Sequence, residues 1–177
     1  AYFTDKVRGA VLRLSKDGLT PISDFGMKDW FKDNLKLKNK LIGSYDDKKG
    51  EYNITLSSNS KFSKTPYTVT FKENVKGWSS FKSFIPENGI SCANEYYTFD
   101  QGKLWLHNVE DVDRNTFYNK HENSIVDVIF NNGSGLVKSF TTLNYEGSQS
   151  KVDANFSDNL YHNLSEKTGW HVTSIAT

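Results

Sequence analysis

Apolar and polar residues alternate with a period of two along much of the chain, and this alternation predicts short antiparallel strands joined by tight turns. The clearest instance is Leu41-Ile-Gly-Ser-Tyr45, a loop Asp46-Asp-Lys-Lys-Gly50, and Glu51-Tyr-Asn-Ile-Thr-Leu56. Tyr52, Ile54 and Leu56 share one face, and Gly50 suits the left-handed position that closes a hairpin loop of this length. A second hairpin is read from Glu95-Tyr-Tyr-Thr-Phe99, Asp100-Gln-Gly102 and Lys103-Leu-Trp-Leu-His107. Further strands are expected at Tyr2–Asp5, Gly9–Ser15 (closed by the turn Lys16-Asp17-Gly18), Tyr67–Phe71, Ser124–Phe130, with a return at Leu136–Leu143, and His171–Ile175. Thr20-Pro21 breaks the pattern, Gly77–Phe84 carries the bulky Trp78, Phe81 and Phe84, and Ile85–Gly89 reads as a turn. Ser57–Pro66 and Gln149–Trp170 are polar and irregular.

Only one segment has helical spacing. Met27, Trp30, Phe31 and Leu35 recur at near-helical intervals behind Ser23 or Asp24 as cap, with Gly26 in the first turn, which predicts one short helix near residues 24–36. The fold class is therefore all-β, mainly antiparallel short strands and hairpins in a propeller-blade-like or sandwich-like arrangement, with that helix. The two hairpins resemble each other loosely, which is compatible with successive blades. We divide the chain into a β-rich, propeller-like segment with the helix, 1–108, and a second β-rich segment, 109–177. The strand-like first and last residues lead us to expect an internal fragment of a longer chain.

Composition supports this picture. Hydrophobic residues make up 36% of the 177 and aromatics 14%, and the remainder is rich in turn formers. A net charge of +1 gives no direct nucleic-acid signal, and no run reaches the ~18 apolar residues that span a bilayer. The halves differ: residues 1–90 carry 16 basic and 10 acidic side chains, residues 91–177 carry 6 and 11. Such polarity can orient subunits, and it also arises from ordinary surface drift. The single cysteine, Cys92, excludes an intrachain disulfide and, between Ile90 and Asn94, reads as a buried small residue in a strand.

Candidate chemistry fails on spacing or context. Asp111, Asp113, Asn115, Asn119 and Glu122 stand at positions 1, 3, 5, 9 and 12 of a calcium-loop pattern, but Thr116 replaces the glycine at position 6 and the flanks read as strands. Asp111, Asp113, Asn115 and Glu122 are thus read as an acidic connecting loop. Asp46 and Asp47 diverge on a hairpin tip. The four histidines, His107, His121, His162 and His171, share no i, i+4 pair, and neither a nucleophile elbow nor a phosphate loop occurs. Four Asn-x-Ser/Thr tripeptides, at Asn53, Asn132, Asn155 and Asn163, fit the chance expectation for so polar a chain. Lys28, Lys32, Lys36, Lys38 and Lys40 alternate with acidic residues as a solvated helix face. Trp78, Phe81, Phe84, Tyr96, Tyr97, Phe99 and Trp105 read as core for the most part, with the rest offering surface or subunit contacts, or flat faces for a sugar. No catalytic, cofactor or metal residue is assigned.

The ordered phrases Gly77–Gly89, Glu95–Phe99, Gly102–Asn108, Arg114-Asn-Thr-Phe-Tyr118 and Val137–Gln149, with the Tyr45–Tyr52 hairpin, resemble large structural proteins of tailed bacteriophages, among them tail-associated stabilisation or muzzle-type proteins of crAss-like and marine phages. That resemblance implies a non-enzymatic virion component at or near the tail, whose partners are other copies of itself and other virion proteins. Two alternatives stand beside it: a carbohydrate- or receptor-binding module of a tail fibre that meets a host-surface glycan, and a glycan-cleaving enzyme, which needs a carboxylate pair across a cleft.

Overall fold

The computed structural model describes residues 1–58, 65–130, 133–139, 141, 151–152, 167–168 and 174. Two compact units divide the chain, Ala1–Asp127 and Val128–Thr177. In the first, β1 (Tyr2–Asp5), β2 (Ala10–Ser15) and β3 (Gly18–Pro21) form an antiparallel sheet in that order. A 3-10 turn (Ile22–Asp24) and helix α1 (Lys28–Leu35) follow. Next comes a four-stranded antiparallel meander of β4 (Lys40–Asp46), β5 (Glu51–Ser57), β6 (Tyr67–Lys72) and β7 (Gly77–Lys82). A third sheet has the order β10-β9-β8, from β8 (Asn88–Cys92), β9 (Glu95–Asp100) and β10 (Lys103–Leu106). The hairpin β11 (Thr116–Phe117) and β12 (Lys120–His121) completes it. In the second unit β13 (Lys151–Val152) pairs with β14 (Lys167–Thr168).

The all-β reading with one helix thus holds. The described strands form open antiparallel sheets, and no closed barrel is present among the described residues. Both predicted hairpins form, with Tyr45 opposite Tyr52 in the first and Gly50 at φ 62°. The helix begins later than its sequence signals imply. Ser23 and Asp24 lie in the 3-10 turn, Gly26 takes φ 82°, and Met27 precedes the first helical residue with no side-chain cap. Thr20-Pro21 ends β3 rather than breaking the pattern, because an edge strand tolerates proline at its terminus.

The meander is covered on both faces. On one face Tyr52, Ile54, Leu56, Val69 and Phe71 pack against Val11 of β2, Ile22, and Phe31 and Leu35 of α1, all buried. Trp78 and Phe81 both join this side although three residues separate them, an odd spacing that a regular strand sends to opposite faces. A register shift resolves this: Thr70 pairs with Ser80 but Phe71 with Trp78, so Ser79 is extra. Trp78 then lies 4.5 Å from Phe31, donates its indole N–H to the Ile22 carbonyl at 2.9 Å, and Phe81 meets Trp30 at 5.3 Å.

The other face carries Ser44, Asp46, Glu51, Asn53, Thr55, Thr68 and Thr70, every one buried. These polar side chains satisfy one another across strands: Thr55 and Thr68 hydroxyls lie 2.8 Å apart, Thr68 donates to the Phe84 carbonyl at 2.7 Å, and Thr70 donates to Asn53 Oδ1 at 2.6 Å. The sheet β8–β10 covers them. Ser91 donates to the Tyr45 carbonyl and accepts from the Asp47 N–H, at 2.7 and 3.0 Å. Close approach depends on Gly89, where an added Cβ would stand 2.9 Å from Ser44 Cβ and 3.0 Å from Tyr96 OH. Gly89→Ala is therefore expected to lower stability by about 1–3 kcal/mol through overpacking, read from the urea midpoint; an unchanged midpoint would show that the two sheets slide apart freely.

Candidate functional site: a half-buried hydroxyl–imidazole group and an exposed apolar sheet face

His107 continues past β10, and its N–H donates to the Tyr96 carbonyl at 2.9 Å, which turns the ring under the meander. It lies 4.8 Å from the Phe84 ring and 5.9 Å from Phe117. Thr98 Oγ1 stands 2.6 Å from His107 Nε2 and 2.9 Å from Tyr118 OH, so one hydroxyl bridges both groups. Nearby, Ser44 Oγ and Tyr96 OH are 2.7 Å apart, and Asn108 donates to Asp46 Oδ2 at 3.2 Å. Burial pushes the His107 imidazole down to about 4; the Asp46 carboxylate opposes this and Lys49 and Lys82 reinforce it. Burial likewise pushes the Tyr118 phenol up to about 12.

In the Nδ1–H tautomer of the neutral imidazole, Nε2 accepts from Thr98, whose oxygen is then free to accept from Tyr118. Protonation would reverse that order, because imidazolium only donates. The layer is thus a set of internal hydrogen bonds. Ser44–Tyr96 and Asn108–Asp46 tie the third sheet to the meander, and Thr98 ties it to the β11–β12 hairpin through Tyr118.

Sequence candidates take varied places. Asp46 is buried and accepts from the Lys49 N–H at 3.1 Å, while Asp47 is exposed, so the two do diverge. Asn115 donates to Ser124 Oγ at 2.8 Å, the Glu122 N–H donates to the Asn115 carbonyl at 2.9 Å, and the Glu122 carboxylate pairs with Lys120. Among the described residues no group of three His, Cys, Asp or Glu side chains is placed to hold a metal ion. Lys38 departs from the solvated helix face: it is buried, donates to the Thr65 carbonyl, and sits 5.1 Å from the Tyr67 ring centroid. Burial lowers its pKa. Cys92 is exposed rather than buried, because it occupies the outward face of β8, in step with Ile90.

Of the aromatic set, Phe84 and Tyr96 are buried, Trp78 packs against the core, and Trp105 and Tyr97 are half-buried. Phe81 and Phe99 are exposed. The two tryptophans thus make no flat exposed platform. What is exposed instead is the outer face of β8–β10, where Ile90, Tyr97, Phe99, Leu104 and Leu106 are cross-strand neighbours. Periodicity alone did not disclose this face, although the excess of apolar residues on both parities of β9 and β10 is its signal.

Ser124–Phe130, predicted as a strand, has none, and Leu136–Ser139 has none either; the rest of that return strand, and Gln149–Trp170 and His171–Ile175 for the most part, lie outside the described residues. Alternation sets which way side chains point, but a strand also needs a ladder partner, and Ile125, Val126, Val128, Ile129 and Phe130 are exposed. No helix among the described residues is long and apolar enough to cross a membrane.

The first unit thus combines open antiparallel sheets, an apolar outer face and side-chain hydrogen bonds between its layers. Residues 112–174 match the family model of the Crassvirus muzzle protein C-terminal domain. No curated protein matches the chain. The chain resembles a crAss-like phage muzzle-type protein, and a structural role in the virion accords with that likeness. The matched residues include the phrases Arg114–Tyr118 and Val137–Gln149; those from Tyr45 to Asn108 lie before them.

The depressed His107 titration carries a sign. Unfolded, the imidazole titrates near 6.5 and in the fold near 4, so between these values the unfolded chain binds the extra proton. Its contribution is fully present above about pH 6.5 and falls as pH drops toward 4, by up to about 3 kcal/mol. His107→Gln should flatten the difference in urea midpoint between pH 7 and pH 4.5; an identical pH slope in both proteins argues against a half-buried imidazole kept neutral by desolvation. Thr98→Val, which strips His107 and Tyr118 of a shared partner, should cost about 1–3 kcal/mol at pH 7 in the same measurement.

Proposed function

We propose that this chain is a structural segment of a tail-associated phage virion protein and acts through protein–protein contacts in a symmetric assembly, without catalysis. The observation that carries the reading is the contiguous outer face of β8–β10, with Leu104 58% and Ile90 56% exposed in the midst of other apolar side chains. Exposed apolar clusters of this kind mark interaction sites in soluble proteins. The match of residues 112–174 to the muzzle domain supports a virion setting, and the structural character of that family supports a non-enzymatic role. Copies of the chain and other virion proteins are the partners this implies. The division into 1–108 and 109–177 is likewise proposed, with the second segment holding the matched residues.

Leu104→Glu and Ile90→Glu test the reading. Both side chains are exposed, so stability should change by no more than about 0.5 kcal/mol. Self-association in sedimentation velocity, and incorporation of the parent protein into particles, should drop sharply. A wild-type chain that stays monomeric at high concentration and is absent from a particle reconstruction would overturn the proposal.

A further inference from the structure

A second exposed apolar face lies on the opposite side of the same unit. In β1–β3, register places Phe3 opposite Leu12 and Leu14 opposite Leu19, and these share one parity. Phe3, Leu14 and Leu19 are 42%, 51% and 55% exposed. The other parity, Tyr2 and Val11, is turned inward: Val11 is in the core and Tyr2 stacks on Tyr52 at 4.2 Å. Since β1–β3 and α1 cover one face of the meander and β8–β10 the other, the two apolar faces are the outer surfaces of a layered unit.

The two faces differ in charge. With Arg13 turned inward onto Glu73 and Arg8 paired with Asp5, the first sheet keeps Lys6 and Lys16 against Asp17, while residues 87–106 carry Glu87, Glu95 and Asp100 against Lys103 alone. Like meets unlike only when the first face of one copy meets the third-sheet face of another. Complementary charge fixes partner and orientation, and like-charge contacts are disfavoured. Two different surfaces on one chain that fit each other make a heterologous contact, which builds rings when the rotation closes.

Resting on the structural reading above, we propose that the outer face of β1–β3 docks on the outer face of β8–β10 of a second copy, head to tail. Area decides how strong one such contact is. Three strands of about five residues cover on the order of 250 Å², against the ~800 Å² per partner of a stable interface. A single contact is thus weak, and closure into a ring or support from neighbouring virion proteins holds it.

Because one contact is weak, the test is covalent capture in the full chain. Cys92 is already exposed on the third-sheet face, so Leu14→Cys adds a thiol to the opposite one. A short bis-maleimide should then give a ladder of dimers, trimers and higher species. Wild type, and Leu14→Cys with Cys92→Ser, should each give only monomer, and a mixture of these two should give the dimer alone. Lys16→Glu should lower the dimer yield about two- to five-fold, and Glu95→Lys on the partner should restore it. Dimers from wild type alone would mean a symmetric third-sheet contact and overturn the proposal. Failure to cross-link in a protein that still enters particles also overturns it while the virion role stands; failure of both removes the two together. An unchanged urea midpoint for Leu14→Cys shows that capture, and not folding, is being read.

Discussion

Burial of β5 on both of its faces is the constraint on which the rest of the unit depends. One parity, Tyr52, Ile54 and Leu56, is removed from water by helix α1 and β2, which is ordinary hydrophobic burial. The other parity, Glu51, Asn53 and Thr55, is removed from water as well, and there each polar group needs a partner or costs free energy. The cross-strand pairs Thr55–Thr68 and Asn53–Thr70 supply those partners within the meander. Glu51 is met by Lys72 at 3.4 Å and Lys82 at 3.7 Å. The third sheet can then lie on a surface whose Thr55, Thr68, Thr70, Asn53 and Glu51 side chains already have partners.

The same demand for partners shapes the polar group around His107. The His107–Thr98–Tyr118 group has perturbed ionisation of the kind that draws attention to active sites. Here the perturbation comes from burial in an interlayer seam, and the neighbours are rings and hydroxyls that satisfy the imidazole. A second polar group, Tyr2, Arg13 and Glu73, ties β1 and β2 to the residues after β6: the phenol and the guanidinium both donate to the Glu73 carboxylate. It braces the first sheet against the meander beside the stacked Tyr2 and Tyr52 rings.

Much of the fold was legible because hairpins are local. The Leu41–Leu56 and Glu95–His107 pairs each contain strand, turn and strand within about 16 residues, with Gly50 and Gly102 at positive φ where the turns require it. What stayed hidden depends on contacts between distant segments. Alternation marks Asn53 and Thr55 as a solvent face, and only the arrival of β8–β10 shows them buried. The bulge at Ser79 has no sequence signature beyond the odd Trp78–Phe81 spacing. Lys38 belongs to a basic run in sequence, yet the turn after α1 takes it to the Thr65 carbonyl. The exposure of Cys92 is hidden for the same reason, since strand flanks do not say which side of a covered sheet a residue occupies.

A protein with a layered unit of this sort exposes apolar surface for a definite reason. The meander consumes the inner faces of both outer sheets, and those sheets have only three strands each, with no further layer among the described residues to cover their outer sides. Apolar residues there, such as Leu14 and Leu104, contribute little to the stability of the single chain, since they remain in water. Left uncovered, they raise the risk of aggregation. On the proposed reading these faces meet neighbouring copies, and the opposite net charges that border the two faces limit which neighbour surface can approach each one.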